Sequence, residues 1–307
     1  MGVTPQFIFW SDRHHSKISG RTDSAESMGI RGDGGSALVP SLDASFSHEE
    51  ISMDLTMCGL LAERAEEMAE LYAAHRDWTT VEARWFDERL DGRSTRGSSR
   101  KIYRVLSSRF KTAPPSLPSV SRLPSVLNQC KTRRDKAQVL YFYLIEDDPL
   151  VKFAVHEYVR RLQRRGVDGL DFQQEAIERI LDEFHYADGT GYDYAESTTD
   201  RWGEGLRSLM RDIGVIETQQ SLQGQIPNVG TVPLLVASGY SWENDEEMWL
   251  SRPLGWLYLF QPEQYWDSLI ERISNHPAWE TSGIHGDLRL QPVGETYAWA
   301  EPMEEAE

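Results

Sequence analysis

The sequence predicts a mainly α-helical, two-lobed protein with a winged-helix-like C-terminal part that contains a short β-hairpin. Apolar residues recur at helical spacing through much of the chain, and capping residues precede several of these stretches. Two short β-like runs follow a helix that ends near residue 214. We therefore expect a flexible N-terminal arm at 1–45, a helical domain at 46–190 and a winged-helix-like domain with aromatic-rich helices at 191–307.

The first 45 residues mix Ser, Gly, Asp and His with little periodicity, which is typical of a flexible arm. Helical signals begin at Ser47, because Glu50 three residues later completes a capping box ahead of an apolar face that extends to Ala65. A second box, Thr79 with Glu82, precedes another predicted helix, and a proline-rich connector follows at 111–120. These elements open the helical domain.

The helix predicted over 149–165 has the clearest limits in the chain. Asp148 is suited to cap it, Pro149 to occupy its first turn and Gly166 to close its end. Further helices are predicted over 132–146 and 171–185. The helical domain therefore contains a series of helices joined by short connections.

The pattern changes from residue 197, where one helix precedes two β-like runs. The helix has a single apolar stripe made of Trp202, Leu206, Leu209, Met210 and Ile213. The runs VIETQ (215–219) and TVPLLV (231–236) flank a loop with Gly, Asn and Pro, which predicts a hairpin. A helix followed by a hairpin is the order of a winged helix. Aromatic-rich helices at 254–260 and 262–273 and a last strand pair near 287–293 and 296–300 are also expected.

Composition excludes several classes of protein. No apolar run approaches the roughly 18 to 20 residues of a membrane span, and the N-terminus lacks the order of a signal peptide. Cys58 and Cys130 are the two cysteines, which is too few for a disulfide framework or a cysteine zinc site. We expect a cytoplasmic protein with no membrane contact.

Charge is distributed unevenly along the chain. Residues 93–165 carry 17 basic and 5 acidic side chains, whereas 1–92 carry 8 and 17 and 166–307 carry 7 and 27. The middle segment, here called the basic island, has a net charge of +12 in a chain whose total is −17. Nucleic-acid phosphates or the protein's own acidic flanks are the partners that such a segment favours.

Helical geometry predicts which cations of the basic island face outward. Arg100, Arg104 and Lys111 lie within about 40° of one another on one helix, and Arg93 and Arg96 lie in the loop before it. The helix over 149–165 divides into an apolar face and a second basic face with Lys152, His156, Arg160 and Arg164. The locally neutral helix over 197–213 carries a third, weaker group. The candidate phosphate contacts are Arg93, Arg96, Arg100, Arg104, Lys111, Lys152, Arg160, Arg164, Arg201, Arg207 and Arg211.

A structural interpretation of the same residues stays open. Cations are usually surface residues, and acidic neighbours could neutralise the whole basic island. Arg109 falls within the apolar face of its helix, which favours an internal salt bridge over a ligand contact. Phe153 projects among the cations of its helix and is interpreted as a core residue in preference to a base-stacking one.

No catalytic or metal site is predicted. The sequence has no H-E-x-x-H, no G-K-[ST] phosphate loop and no G-x-S-x-G elbow. Asp188, Asp193 and Glu196 lack the spacing of a calcium loop. We therefore expect no enzymatic activity, no metal and no cofactor.

Three stretches in order carry a resemblance to a known family: STRGSSRKIYRVLSSRF, DKAQVLYFYLIEDDPLVKFAVHEYV and TDRWGEGLRSLMRDIGVIE. They resemble the BrxA family of BREX phage-defence systems, small, mostly helical and non-catalytic components, over about residues 47–292. The long arm and the acidity depart from that family's pattern. The resemblance implies double-stranded DNA and other BREX subunits as partners. It implies DNA contacts at Arg96, Arg100, Lys101 and Arg104, and also at Arg201, Arg207 and Arg211.

Three functions therefore stay open at this point. The first is a non-enzymatic DNA-binding component that grips the phosphate backbone through a basic helical face. The second is a scaffold of the same assembly whose basic island docks on an acidic partner protein. The third is a transcriptional regulator, which would prefer one operator-like sequence.

Overall fold

Helices make up most of the fold, as the sequence predicts. The structure is a computed structural model that describes residues 39–301, without 41, 43–45, 49, 57, 91, 93–94, 248 and 283–288. Within these residues it has eleven α-helices and one antiparallel two-stranded sheet. The helices are α1 (Ala62–His75), α2 (Trp78–Asp87), α3 (Arg96–Lys111), α4 (Leu123–Asn128), α5 (Arg133–Asp147), α6 (Pro149–Arg165), α7 (Gln174–Leu181), α8 (Glu196–Ile213), α9 (Thr231–Asn244), α10 (Leu254–Tyr258) and α11 (Trp266–Ser274). The strands are β1 (Trp279–Ser282) and β2 (Arg289–Pro292).

The predicted arm at 1–45 lies mostly outside the described residues. Near its C-terminal end, Val39 is buried, and its backbone N–H donates to Gln163 Oε1 at 2.9 Å. The carbonyl of Pro40 accepts a hydrogen bond from His156 Nε2 at 2.7 Å. Packed structure therefore begins by residue 39, against α6.

The prediction of a helix that begins at Ser47 is wrong for the described residues of 51–61. A short 3-10 turn, Asp54–Thr56, forms there instead. The carbonyls of residues 58–60 accept hydrogen bonds from the buried guanidinium of Arg109. Leu61 adopts a left-handed conformation with φ of 52°, and α1 starts after it. The carbonyls of 58–60 are thus paired with a side chain rather than with a helical N–H.

Helices α5 and α6 have the ends that the sequence predicts. Thr132 and Asp135 form a capping box at the start of α5. Asp148 accepts hydrogen bonds from two backbone N–H groups of the first turn of α6, which Pro149 begins. Gly166, at φ of 63°, closes α6. Most of α5 is buried, because it packs against α3, α6, α8 and α9.

Helix α8 has the predicted apolar stripe and the predicted end. All five stripe residues are buried, and Gly214 closes the helix at φ of 87°. Gly205, on another side of α8, lies against the 3-10 turn at Asp54–Thr56. A Cβ at Gly205 would lie 2.4 Å from the carbonyl oxygen of Leu55, so this close approach requires glycine.

The hairpin predicted over 215–236 is wrong. Residues 231–236 form the first turns of α9, and residues 215–219 form no strand. Pro233 is compatible with this helix because first-turn N–H groups have no intrahelical partner. Buried residues continue without a break from Val232 to Ser241, so α9 is enclosed on all sides and lacks an amphipathic period. The helix-then-hairpin order that suggested a winged helix does not occur here.

The small sheet lies further along the chain. Strand β2 falls within the predicted 287–293 run, but it pairs with β1, Trp279 opposite Pro292. The run expected as its partner, 296–300, contains a 3-10 turn at Ala298–Ala300. Tyr297 anchors that turn, since its buried hydroxyl donates to the carbonyl of Ser116 at 2.6 Å. The aromatic-rich segments form α10 and α11, as predicted.

One hydrophobic cluster joins these elements. It contains buried residues of α1, α3, α5, α6, α8, α9 and α10, on both sides of the predicted boundary at residue 190. The predicted segments 46–190 and 191–307 therefore share a core, while their description as two domains stays a prediction. The shared core fixes α3 against α5, and so fixes which face of α3 remains exposed.

Candidate nucleic-acid interface

Helix α3 places its cations in two environments. Thr95 caps the helix by accepting the backbone N–H of Ser98. Arg109 is 5% exposed on the core side, as predicted for an internal residue. It donates at 2.9 to 3.3 Å to the carbonyls of residues 58–60 rather than to a carboxylate. Burial lowers the pKa of Arg109, opposed by the nearby charges of Asp147 and Asp148.

The other side of α3 carries exposed cations, here called the outer cation row: Arg96, Arg100, Arg104 and Lys111. At about 100° per residue the four fall within an arc of about 80°. The row extends about 22 Å along the helix axis at about 1.5 Å per residue. The structure therefore brings four predicted contacts together on one surface.

Two cations of α3 share a carboxylate. Arg104 Nη2 lies 3.0 Å from Asp54 Oδ1 and 3.1 Å from Asp54 Oδ2, and the Arg104 side chain remains 67% exposed. Lys101 Nζ lies 3.8 Å from the same carboxylate. Lys101 is half-buried beside the row rather than within it. Asp54 therefore neutralises part of the charge in the middle of α3.

The other three members of the row differ from Arg104 in their contacts. Lys111 is an exposed residue, and its Nζ lies 5.0 Å from the centre of the Trp78 ring in a cation–π contact. Within the part of the chain that the structure describes, Arg96 and Arg100 form no ion pair. Both ends of the row therefore keep their charge available to an external anion.

The cations of α6 are largely neutralised within the protein. Lys152 Nζ lies 2.8 Å from Glu146 Oε2, and Arg160 Nη1 lies 2.6 Å from Glu157 Oε1. The two basic side chains are 25% and 15% exposed, respectively. Glu157 is itself buried, so its pair with Arg160 satisfies an internal charge.

The predicted division of α6 into an apolar and an open basic face is wrong. His156, expected on the basic face, is buried between the carbonyl of Pro40 and the hydroxyl of Tyr258. The reason is long-range packing, because the 39–40 segment and α10 cover this face. Phe153 is a core residue, as predicted, with its ring edge-on to Phe184. Arg164, near the end of α6, is exposed.

The third group, on α8, lies apart from the outer cation row in the sequence and is locally neutral. Arg201 is exposed, whereas Arg207 and Arg211 are half-buried. Arg207 Nη1 donates to Gln174 Oε1 at 3.1 Å, which ties α8 to α7. The same helix also carries exposed carboxylates near these cations in the sequence: Asp200, Glu204 and Asp212. Arg93 lies outside the described residues.

Sequence reasoning missed the acidic and aromatic partners of these cations. Asp54 precedes Arg104 by 50 residues, so no helical spacing could connect them. Glu146 lies six residues from Lys152, across the junction between two helices, and this spacing is not one of the usual helical pairs. No sequence pattern around Trp78 predicts its contact with Lys111. These contacts depend on how the helices pack.

The described residues lack two further kinds of feature. They contain no group of three or more His, Cys, Asp or Glu side chains that could hold a metal ion. Among the helices there, none combines the length and the apolar character of a membrane span. The outer cation row is therefore the candidate functional site.

Similarity to known proteins identifies the family of this chain. Neither curated proteins nor solved structures give a match to the chain. The family described as BrxA matches residues 49–235, from the segment before α1 to the first turns of α9. The matched range includes the outer cation row and Asp54, and it covers more than half of the sequence. The chain belongs to the BrxA family.

Proposed function

We propose that this protein is a non-enzymatic DNA-binding component of a BREX-type phage-defence assembly, and that it grips the phosphate backbone through the outer cation row. One observation carries the proposal: four exposed cations follow one side of α3, in a chain with a net charge of −17. The family match supports the defence role, since BrxA proteins are named for BREX systems.

The dimensions of the row suit a duplex. Its length of about 22 Å corresponds to about six base-pair steps at 3.4 Å each. Arginine presents several N–H donors to phosphate oxygens, and each contact releases counterions from the DNA. The inner side of α3 is buried, so the helix is held in place before any ligand arrives. The row is therefore preorganised for a polyanion.

Contacts of this kind give affinity without reading the sequence. Phosphate contacts fix position and orientation, whereas base readout needs side chains at groove edges. The acidic remainder of the protein repels DNA, so a duplex is directed to the row by charge. We expect binding to random double-stranded DNA that weakens steeply as salt increases.

A charge-reversal variant tests the proposal. Arg100→Glu, Arg104→Glu and Lys111→Glu together should abolish retention of a random 30-base-pair duplex in a gel shift at about 50 mM salt. Lys131→Glu, Arg133→Glu and Arg134→Glu together are the matched control, because these three cations of the basic island are exposed, lie outside the row and change the net charge equally when reversed. Circular dichroism should show both variants folded. Equal binding by the triple variant and the wild type would contradict the proposal.

A scaffold role is the second candidate, and the internal ion pairs of the basic island favour it. Lys136 with Glu66, Lys152 with Glu146, and Arg160 with Glu157 show that part of the island is neutralised inside the protein. From the sequence, the scaffold would dock its basic island on an acidic partner; with part of that island neutralised, the acidic surface of residues 166–307 is the alternative contact, toward basic partner subunits. Absence of any duplex binding by the wild type at low salt would leave this candidate in place of the first.

A further inference from the structure

Asp54 is held in a fixed position against the cations of α3. Its side chain is 23% exposed and contacts Arg104 and Lys101 from one side of the helix. The next residue, Leu55, is buried against α8, where Gly205 permits the close approach. Four residues further on, the chain is tied to the opposite side of α3 by Arg109.

This double attachment distinguishes Asp54 from a mobile surface carboxylate. A free side chain would move away from an approaching phosphate at little cost, but the backbone of Asp54 is fixed on both sides. The carboxylate therefore remains within hydrogen-bonding distance of the central arginine of the row. A phosphate that contacts Arg104 has to displace Asp54 from the guanidinium or approach a second negative charge.

We infer that Asp54 is an intramolecular competitor of DNA phosphate, which limits the affinity of the outer cation row by occupying Arg104 and Lys101. The inference rests on the proposed function and adds a regulatory residue to the same site. Both oxygens of Asp54 accept from Nη2 of Arg104, so a phosphate at Nη2 has to displace the carboxylate, and a phosphate at the other N–H groups lies close to it and is repelled. Weak polyanions would be rejected, and a duplex that contacts several cations at once would still bind.

Asp54→Asn tests this inference because it removes the charge and retains an oxygen that can accept from Arg104. We expect the dissociation constant for a random duplex to decrease about threefold to tenfold at about 100 mM salt. Glu63→Gln is the matched control, since Glu63 pairs with Arg133 at 3.0 Å, the same distance as Asp54 with Arg104. The control changes the net charge equally and should alter affinity less than twofold.

A double-mutant cycle shows whether Asp54 lowers DNA affinity through Lys101 and Arg104. In a background of Lys101→Gln and Arg104→Gln, adding Asp54→Asn should produce no larger gain than Glu63→Gln does, because the cations that Asp54 occupies are absent. Binding by the wild type with no gain in Asp54→Asn overturns the inference and leaves the proposed function intact. The inference is also overturned if Glu63→Gln gives an equal gain. If neither the wild type nor Asp54→Asn binds the duplex, both proposals fail.

Discussion

Arg109 and Arg104 lie five residues apart on α3, and we predict opposite consequences of replacing them. Arg109→Met removes the donors that reach the carbonyls of residues 58–60, at 2.9, 3.0 and 3.3 Å. Methionine fills much of the volume but leaves buried acceptors unsatisfied, and each such group costs about 1–3 kcal/mol. It also removes the positive charge near the half-buried Asp147 and the buried Asp148.

These losses are not additive, so we expect Arg109→Met to lower the free energy of unfolding by about 3–5 kcal/mol. In a protein of this size the midpoint of thermal unfolding should fall by roughly 10 °C. Urea unfolding followed by circular dichroism measures the change. Arg104→Gln is the control, and it should alter stability by less than about 1 kcal/mol while weakening DNA binding. Unfolding of Arg109→Met within about 1 kcal/mol of the wild type would refute this reasoning.

Three further predictions concern stability. Burial raises the pKa of Asp148 to about 7, so its stabilising contribution is present below about pH 4 and is lost as the pH rises to about 7. Asp148→Asn, which retains the cap of α6, should make that decline in urea unfolding shallower, although burial also raises the pKa of Asp147 and part of the decline remains. A variant with the wild-type slope would contradict the prediction. Gly255→Ala should destabilise by at least about 1–3 kcal/mol, because its Cβ would lie 2.0 Å from the carbonyl oxygen of Ala237. Gly97→Ala meets open space in the first turn of α3 and should stabilise by about 0.5–1 kcal/mol, and a lower melting temperature would exclude this.

Helix limits set by local chemistry could be predicted from the sequence. The cap at Asp148 with the proline after it, and the glycine at residue 166, each act on backbone groups only a few residues away, so the local sequence at each end contains the information. The stripe of α8 has a helical period because that helix has one buried and one exposed side. Both features were therefore predicted correctly.

Elements that depend on remote contacts could not be predicted in this way. Helix α9 is enclosed by other helices, so its apolar run has no period and is indistinguishable from a buried strand. The stretch before α1 is apolar at helical spacing, but its carbonyls pair with Arg109, about 50 residues away. In both cases tertiary packing outweighs the local pattern.

The candidate site was predicted in part for the same reason. The outward direction of Arg100, Arg104 and Lys111 follows from helical geometry, and all three are exposed. The coverage of α6 by the 39–40 segment and α10, and the position of Asp54, follow from the tertiary fold. Spacing therefore predicted where the cations point but not which carboxylates neutralise them.

The salt dependence of duplex binding tests the central claim most directly. For the wild type and for the triple variant Arg96→Gln, Arg100→Gln and Arg104→Gln, the logarithm of the binding constant would be measured against the logarithm of salt concentration by fluorescence anisotropy. If the three arginines contact phosphates, the triple variant should lose about 2.7 from the magnitude of the slope, about 0.9 for each contact. Identical slopes for the two proteins would contradict phosphate binding by the outer cation row.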